Sequence, residues 1–360
     1  MLLQSLARDL AAQGADTLLS LAAEVFAALG HGLLQFDVTP AGGTVHGAAL
    51  FDGHGFLEKY GDRVPNRKPL CAFAAGFCSA AASLAFPSDW GVLDAEEVSC
   101  VGRGDPECVF MLVRKPTQPR IGAVVTRAAA AAMPAALPEG EADARAASAA
   151  ASAARLLDAT SADSAGSVRK FGVRLAIVPS SYVGQITFDT MHLVEKRFVE
   201  SAPAYFALVR EAAAMGAFHV LGGALVEEAE SEGRPVSRDP LERLASMLGT
   251  ARALGWGGFY SPEYTPERAL SLAAAVTHES AYYLARHGGT IRHRLAAQQG
   301  IALAMALLAD HVDFRRDDPI TASTYSDLMA SGAPRHRVEE TRSVLRGDAV
   351  CEVLVEALAR

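Results

Sequence analysis

The chain has 360 residues, half of them apolar, a formal net charge of −8 and five cysteines. A chain of this size buries a full core and divides into about two domains. Its acidic balance, with no Lys/Arg cluster interleaved with aromatics, offers no field to phosphate backbones, so nucleic acid is not an expected partner.

The opening MLLQSLARDLAAQG (1–14) places Arg8 and Asp9 where a signal peptide needs an unbroken apolar run, and its Leu/Ala spacing is helical. It is expected to be a helix of a cytoplasmic protein. No segment holds eighteen uninterrupted apolar residues, so no membrane span is expected. Cys71, Cys78, Cys100 and Cys108 crowd together while Cys351 stands apart. Clustered thiols in a reducing compartment point to a metal before a disulfide.

Residues 117–168 shift to Ala, Ser, Pro and acidic side chains, which leave little to bury. The expectation there is a linker with an Ala-rich helix around 141–158. The flanking halves resemble each other. LGHGLLQFDVTPAGGTVHGAAL (29–50) aligns with LGWGGFYSPEYTPERALSLAAAV (254–276), and PLCAFAAGFCSAAAS (69–83) with HRLAAQQGIALAMALLA (293–309), bringing Gly76 opposite Gly300. EVSCVGRGDPEC (97–108) aligns with ETRSVLRGDAVC (340–351). One unit occurring twice is expected.

Each copy reads as helices, a hairpin turning at Thr39-Pro40 or Thr265-Pro266, two helices, and a second hairpin turning at Gly104-Asp105 or Gly347-Asp348. That order is α+β: two copies of a four-stranded antiparallel sheet with helices over one face. The expected domains are 1–116, the linker 117–168, and 169–360, the last with a helical N-terminal extension.

In a hairpin centred on Gly104, Cys100 and Cys108 become cross-strand neighbours on one face, close enough for two thiolates to share one zinc. Glu97 lies three residues before Cys100, so only a bulge or a strand start turns its carboxylate to the same side; Glu96 has the better parity. A fourth ligand comes from the preceding helix, where Cys71 and Cys78 lie two turns apart on roughly one face. Four protein ligands close a tetrahedral, structural site. The same spacing also suits buried apolar cysteines.

PLCAFAAGF, followed by Glu-x2-Cys and then x7-Cys, resembles the 4-vinyl reductase domain family, found also in the sensory modules of aromatic-responsive bacterial activators. The resemblance covers about 29–114 and 254–356, and more weakly 170–250. It implies a structural zinc held by Cys71, Glu97, Cys100 and Cys108, with Cys78 beside the site on a non-ligand position. The stretch from Cys71 to Glu97 is longer than the family pattern, with FPSDWG as the insert. The second copy has Leu295 and Ser343 where two thiols should stand, so zinc is expected in the first domain only.

No residue is singled out as catalytic. His31, His46 and His54 flank the first hairpin, but glycines interrupt the strand that would align them. The Arg-Gly-Asp tripeptides are accounted for by turn geometry. Trp256, Tyr260 and Tyr282 belong to an aromatic concentration suited to an apolar or flat ligand between helices and sheet. The resemblance implies a non-enzymatic ligand-binding or regulatory protein that works with a hydrophobic small molecule and through a protein partner or self-association, the pairing of copies within one chain being favoured over a homodimer. The alternatives are a tetrapyrrole vinyl-reduction enzyme or accessory, and a scaffold similar to vesicle-tethering TRAPP subunits.

Overall fold

The computed structural model describes residues 14–61, 68–87, 92–115, 161–287, 295–315, 320–330 and 335–358. They form two compact units, one of residues up to 115 together with 161–177, the other from 178 onward. The expected N-terminal helix over residues 1–13, the Ala-rich helix around 141–158 and most of FPSDWG lie outside the described residues. No helix among the described residues is long and apolar enough to cross a membrane.

The first unit opens with α1 (Ala15–Ala28), whose Leu19, Ala22 and Phe26 recur at helical spacing and are buried. β1 (Leu33–Thr39) and β2 (Gly42–Ala48) follow as a hairpin that closes with Thr39 opposite Gly42. Then come α2 (Phe51–Tyr60), α3 (Ala72–Ala85), β3 (Leu93–Ser99) and β4 (Cys108–Arg114). The sheet is four-stranded and antiparallel in the order β1-β2-β4-β3, as expected for this α+β chain. Val45, Phe110 and Leu112 of its inner strands form one cluster with Phe26 of α1 and Ala74, Cys78 and Ala82 of α3. Each large side chain buried this way stabilises the fold by roughly 1.5–3 kcal/mol before entropy is counted.

Residues 161–177, divided between linker and second domain in the sequence reading, cluster with the first unit. They carry a short hairpin, β5 (Val168–Lys170) and β6 (Val173–Leu175). The backbone fastens it: Ile177 N–H donates to Leu29 O at 2.8 Å, and Gly32 N–H to Gly166 O at 2.9 Å. Arg174 adds bonds to Ala49 O and to the Glu58 carboxylate. These contacts join chain stretches more than a hundred residues apart, and no local spacing announces them.

The second unit begins with three helices, α4 (Ser180–Arg197), α5 (Ala202–Ser231) and α6 (Pro240–Ala253). Its sheet contains β7 (Gly257–Tyr260), β8 (Tyr264–Thr265), β9 (Ala269–Thr277), β10 (His336–Arg342) and β11 (Cys351–Ala357). The order β10-β11-β9-β7 repeats the first sheet's pattern, with β8 also paired to β9. This sheet therefore has five strands, because its outer strand is broken between Tyr260 and Tyr264. Between β9 and β10 lie α7 (His278–His287), α8 (Ala296–Asp310) and α9 (Ala322–Ala330), one helix more than the two expected. α8 is buried almost all round, and the main core joins its Leu303 and Leu307 to Phe218 and Leu221 of α5, Met247 of α6 and Leu272 and Val353 of the sheet.

Candidate metal centre

The four residues proposed as ligands come together. One ligand atom from each of Cys71, Glu97, Cys100 and Cys108 lies within 4.8 Å of all the others, an arrangement that could hold a metal ion. The three cysteines are fully buried and unbridged, and Glu97 is half-buried.

Three local devices place them. Cys71 stands at the N-cap of α3, and its backbone N–H donates to Glu97 Oε2 at 2.9 Å, tying helix start to strand. The pairing of β3 with β4 shifts register between Glu97 and Ser99, the bulge needed to turn the Glu97 carboxylate toward the thiols. Glu96, with the regular parity, instead faces solvent and pairs with Lys115 at 2.8 Å. Between Cys100 and Cys108 the chain makes one turn of 3-10 helix, Val101–Arg103, and reverses at Gly104, whose φ of 97° is left-handed. Asp105 fastens this loop by accepting the Cys100 N–H at 2.8 Å and two bonds from Arg103. Those bonds, the Cys100 amide first, hold its carboxylate below the usual range. The Arg-Gly-Asp tripeptide is thus a loop clasp.

The electrostatics suit a cation. Cys71 Sγ and Cys108 Sγ are 3.8 Å apart, and Val101 N–H points at Cys108 Sγ at 3.5 Å. Acceptance of the Cys71 S–H lowers the Cys108 thiol, while the same bond raises Cys71. Burial, then the Glu97 neighbourhood, pushes Cys100 up to about 11. Nearby, burial and then the Glu97 charge push Asp52 up to about 6. Glu97 Oε1 is buried with no hydrogen-bond partner. A carboxylate with one unpartnered buried oxygen beside three converging thiols is what a bound cation satisfies, and a divalent ion would hold those thiols as thiolates.

The second unit repeats the framework with Leu295 and Ser343 in place of two of the four donor residues. Leu295 N–H donates to Glu340 Oε2 at 2.8 Å, Ser343 N–H to Asp348 Oδ2 at 2.7 Å, and the register shifts between Glu340 and Arg342. A 3-10 turn over Val344–Arg346 ends at Gly347, with φ 90°. Leu295 and Cys351 here join Phe188, Tyr282, Tyr283 and Leu345 in an apolar cluster.

The sequence reading missed Asp52 and Gly53. A Cβ on Gly53 would lie 3.2 Å from Cys71 Sγ and 3.4 Å from Cys108 Sγ, so the start of α2 passes directly over the thiols. Its signal was the Phe51-Asp52-Gly53 interruption, which marks the end of a strand and here begins a helix. The histidines flanking the first hairpin are not brought together. His46 is exposed and pairs with Glu107, while His54 sits in α2. His31 is buried against Phe26 and Phe73, with Nε2 2.9 Å from Ile177 O.

Trp256 packs on the main core of the second unit, and Tyr260 ends β7 half-buried. Tyr282 is in the other cluster, stacked on Phe188 and covered by Gly184 of α4.

No protein family matches the sequence, and no curated protein does. Among solved structures the chain is similar to the phenol-responsive sensory domain of the transcription activator PoxR, solved with phenol. The TM-score is 0.41 at 12% sequence identity, over 57% of this chain and 89% of that one.

Proposed function

We propose that the chain is a non-enzymatic small-molecule-binding or regulatory protein whose first unit is held in shape by one zinc ion at Cys71, Glu97, Cys100 and Cys108. The observation that carries this reading is the closed donor set: three buried thiols and one Glu97 carboxylate oxygen within 4.8 Å of one another, on a carboxylate whose Oε1 is buried and unpartnered. Four protein ligands leave no open position for substrate or activated water, which suits a structural ion. Three sulfurs and one oxygen match a borderline-soft cation that accepts a tetrahedral cage. The motif-level resemblance to 4-vinyl reductase domains supports the same assignment, and the recurrence of the bulged hairpin in both units supports a tandem origin.

The proposed ligand is apolar or aromatic. Trp256 and Tyr260, neighbours at the edge strand β7 and only partly buried, are its proposed contacts; Tyr282 is the least accessible of the three. A protein partner, or self-association, would carry the response.

Elemental analysis of protein prepared without chelator tests the metal. The expected result is close to one zinc per chain, lost in Cys71→Ser and Cys108→Ser and kept in Cys78→Ser. Absence of metal, or loss in Cys78→Ser with retention in Cys71→Ser, would overturn the assignment. Visible absorbance of the same sample would instead favour the tetrapyrrole reading.

A further inference from the structure

The helix α4 is apolar on two opposite sides. Its inner side carries Gly184, Phe188 and Met191, which recur at helical spacing and are buried. Phe188 stacks on Tyr282, and a Cβ on Gly184 would run into the same ring, so the helix is seated tightly on the second unit. Ile186 and Leu193, about two turns apart and therefore on one line, face the other way and are 51% and 47% exposed. Phe198 and Val199, where the helix ends, are 62% and 72% exposed. A surface helix ordinarily turns one apolar stripe inward and a polar face outward. Single exposed apolar side chains are common, but four large ones along one side of a helix and its end form a patch of the kind that marks an interface.

The charges beside this patch say what covers it. Asp189 and Lys196 lie about two turns apart on one flank of the Ile186–Leu193 line, and they have opposite sign. When two copies of one helix lie antiparallel about a twofold axis, residues of the same flank face each other and the two ends exchange places. With the axis beside Leu193, Asp189 of each copy stands opposite Lys196 of the other, Leu193 packs near its own counterpart, and Ile186 comes level with the Phe198–Val199 end. Every one of these pairings is made twice. A parallel arrangement brings opposite flanks together instead and sets Lys196 beside Arg197 of the other copy, like charge on like.

We propose that the outer face of α4 binds a second copy of the chain, α4 against α4 and antiparallel, with Ile186, Leu193, Phe198 and Val199 as its apolar centre and Asp189 and Lys196 fixing its direction. The proposal names the partner in the self-association of the functional reading, and it does not depend on zinc in the first unit.

The test is light scattering and sedimentation velocity of the full chain over a micromolar concentration series. The expected result is a particle of twice the 37.8 kDa chain mass. Leu193→Glu sets two carboxylates at the axis and should leave a single-chain particle with unchanged circular dichroism. Asp189→Lys and Lys196→Asp should each weaken the dimer by roughly tenfold, because two exposed pairs turn repulsive at once, and the double swap should restore it. A single-chain mass at every concentration overturns the proposal, whether the two units then pair within one chain or another protein covers α4. A doubled mass that Leu193→Glu leaves intact, or a double swap that fails to restore the dimer, equally overturns it. Should Leu193→Glu not fold, the charge swaps decide. Zinc measured on the same samples is read separately: its absence sinks the metal assignment and leaves the dimer standing.

Discussion

Gly53 sets α2 directly against the thiol cluster. An added methyl would meet Val101 Cγ2 at 3.0 Å as well as the two sulfurs. Overpacking of this kind costs about 1–3 kcal/mol. Gly53→Ala is therefore expected to lower both the melting temperature and the zinc content after competition with a chelator, and an unchanged zinc content would show that α2 yields freely. Of the candidate ligands, Cys100 and Cys108 were legible because the second hairpin is local: a Gly-Asp turn sets them across from each other. Gly53 and Asp52 were not, because their approach to the site depends on how a distant helix packs.

Gly76 and Gly300 occupy matching places in the two small-residue helices, yet their surroundings differ. No atom comes within 4 Å of a Cβ built on Gly76, whereas on Gly300 it would lie 2.4 Å from Arg210 O and 2.6 Å from Ala214 N of α5. Those are backbone atoms of a packed helix and cannot step aside. Gly76→Ala should stabilise the protein by ~0.5–1 kcal/mol, since Ala loses less entropy than Gly in a helix interior. Gly300→Ala should destabilise it by at least ~1–3 kcal/mol. Denaturant unfolding measures both, and equal effects would mean that α8 does not lie against α5 as described. The sequence places both glycines in helices; only packing separates them. α8 is sunk between α5 and the sheet, while the Gly76 side of α3 is open.

The division into two units, each with its own core, gives removal of metal a selective effect. A ligand that binds only the folded state stabilises by ~4 kcal/mol at a thousand times its dissociation constant. If zinc sits only among Cys71, Glu97, Cys100 and Cys108, a chelator should lower one calorimetric unfolding transition of the full chain and leave the other in place. A uniform shift of the whole profile would mean that the units unfold together or that both bind metal. The second unit is expected to resist chelation because Leu295 and Cys351 pack there with Phe188, Tyr283 and Leu345.

The α+β class, the two hairpins with their turns and the pairing of Cys100 with Cys108 were determined by the sequence itself, because each rests on short-range order: alternation along a strand, a Gly-Asp reversal, cysteines placed across one turn; the choice of Cys71 over Cys78 came from the family resemblance alone. That Glu97 needs a bulge or a strand start to turn its carboxylate toward the thiols also followed from strand parity, and the structure uses the bulge. What only the tertiary structure decided are contacts between segments far apart in the chain. Residues 161–177 join the first unit through the backbone of residues 29–32, Trp256 and Tyr282 fall into separate clusters, and Glu279 and Glu340 each accept backbone N–H groups at the start of α8. In each case the partners are set by which surfaces pack and which backbone groups still need hydrogen bonds, and those demands appear only once the chain is compact.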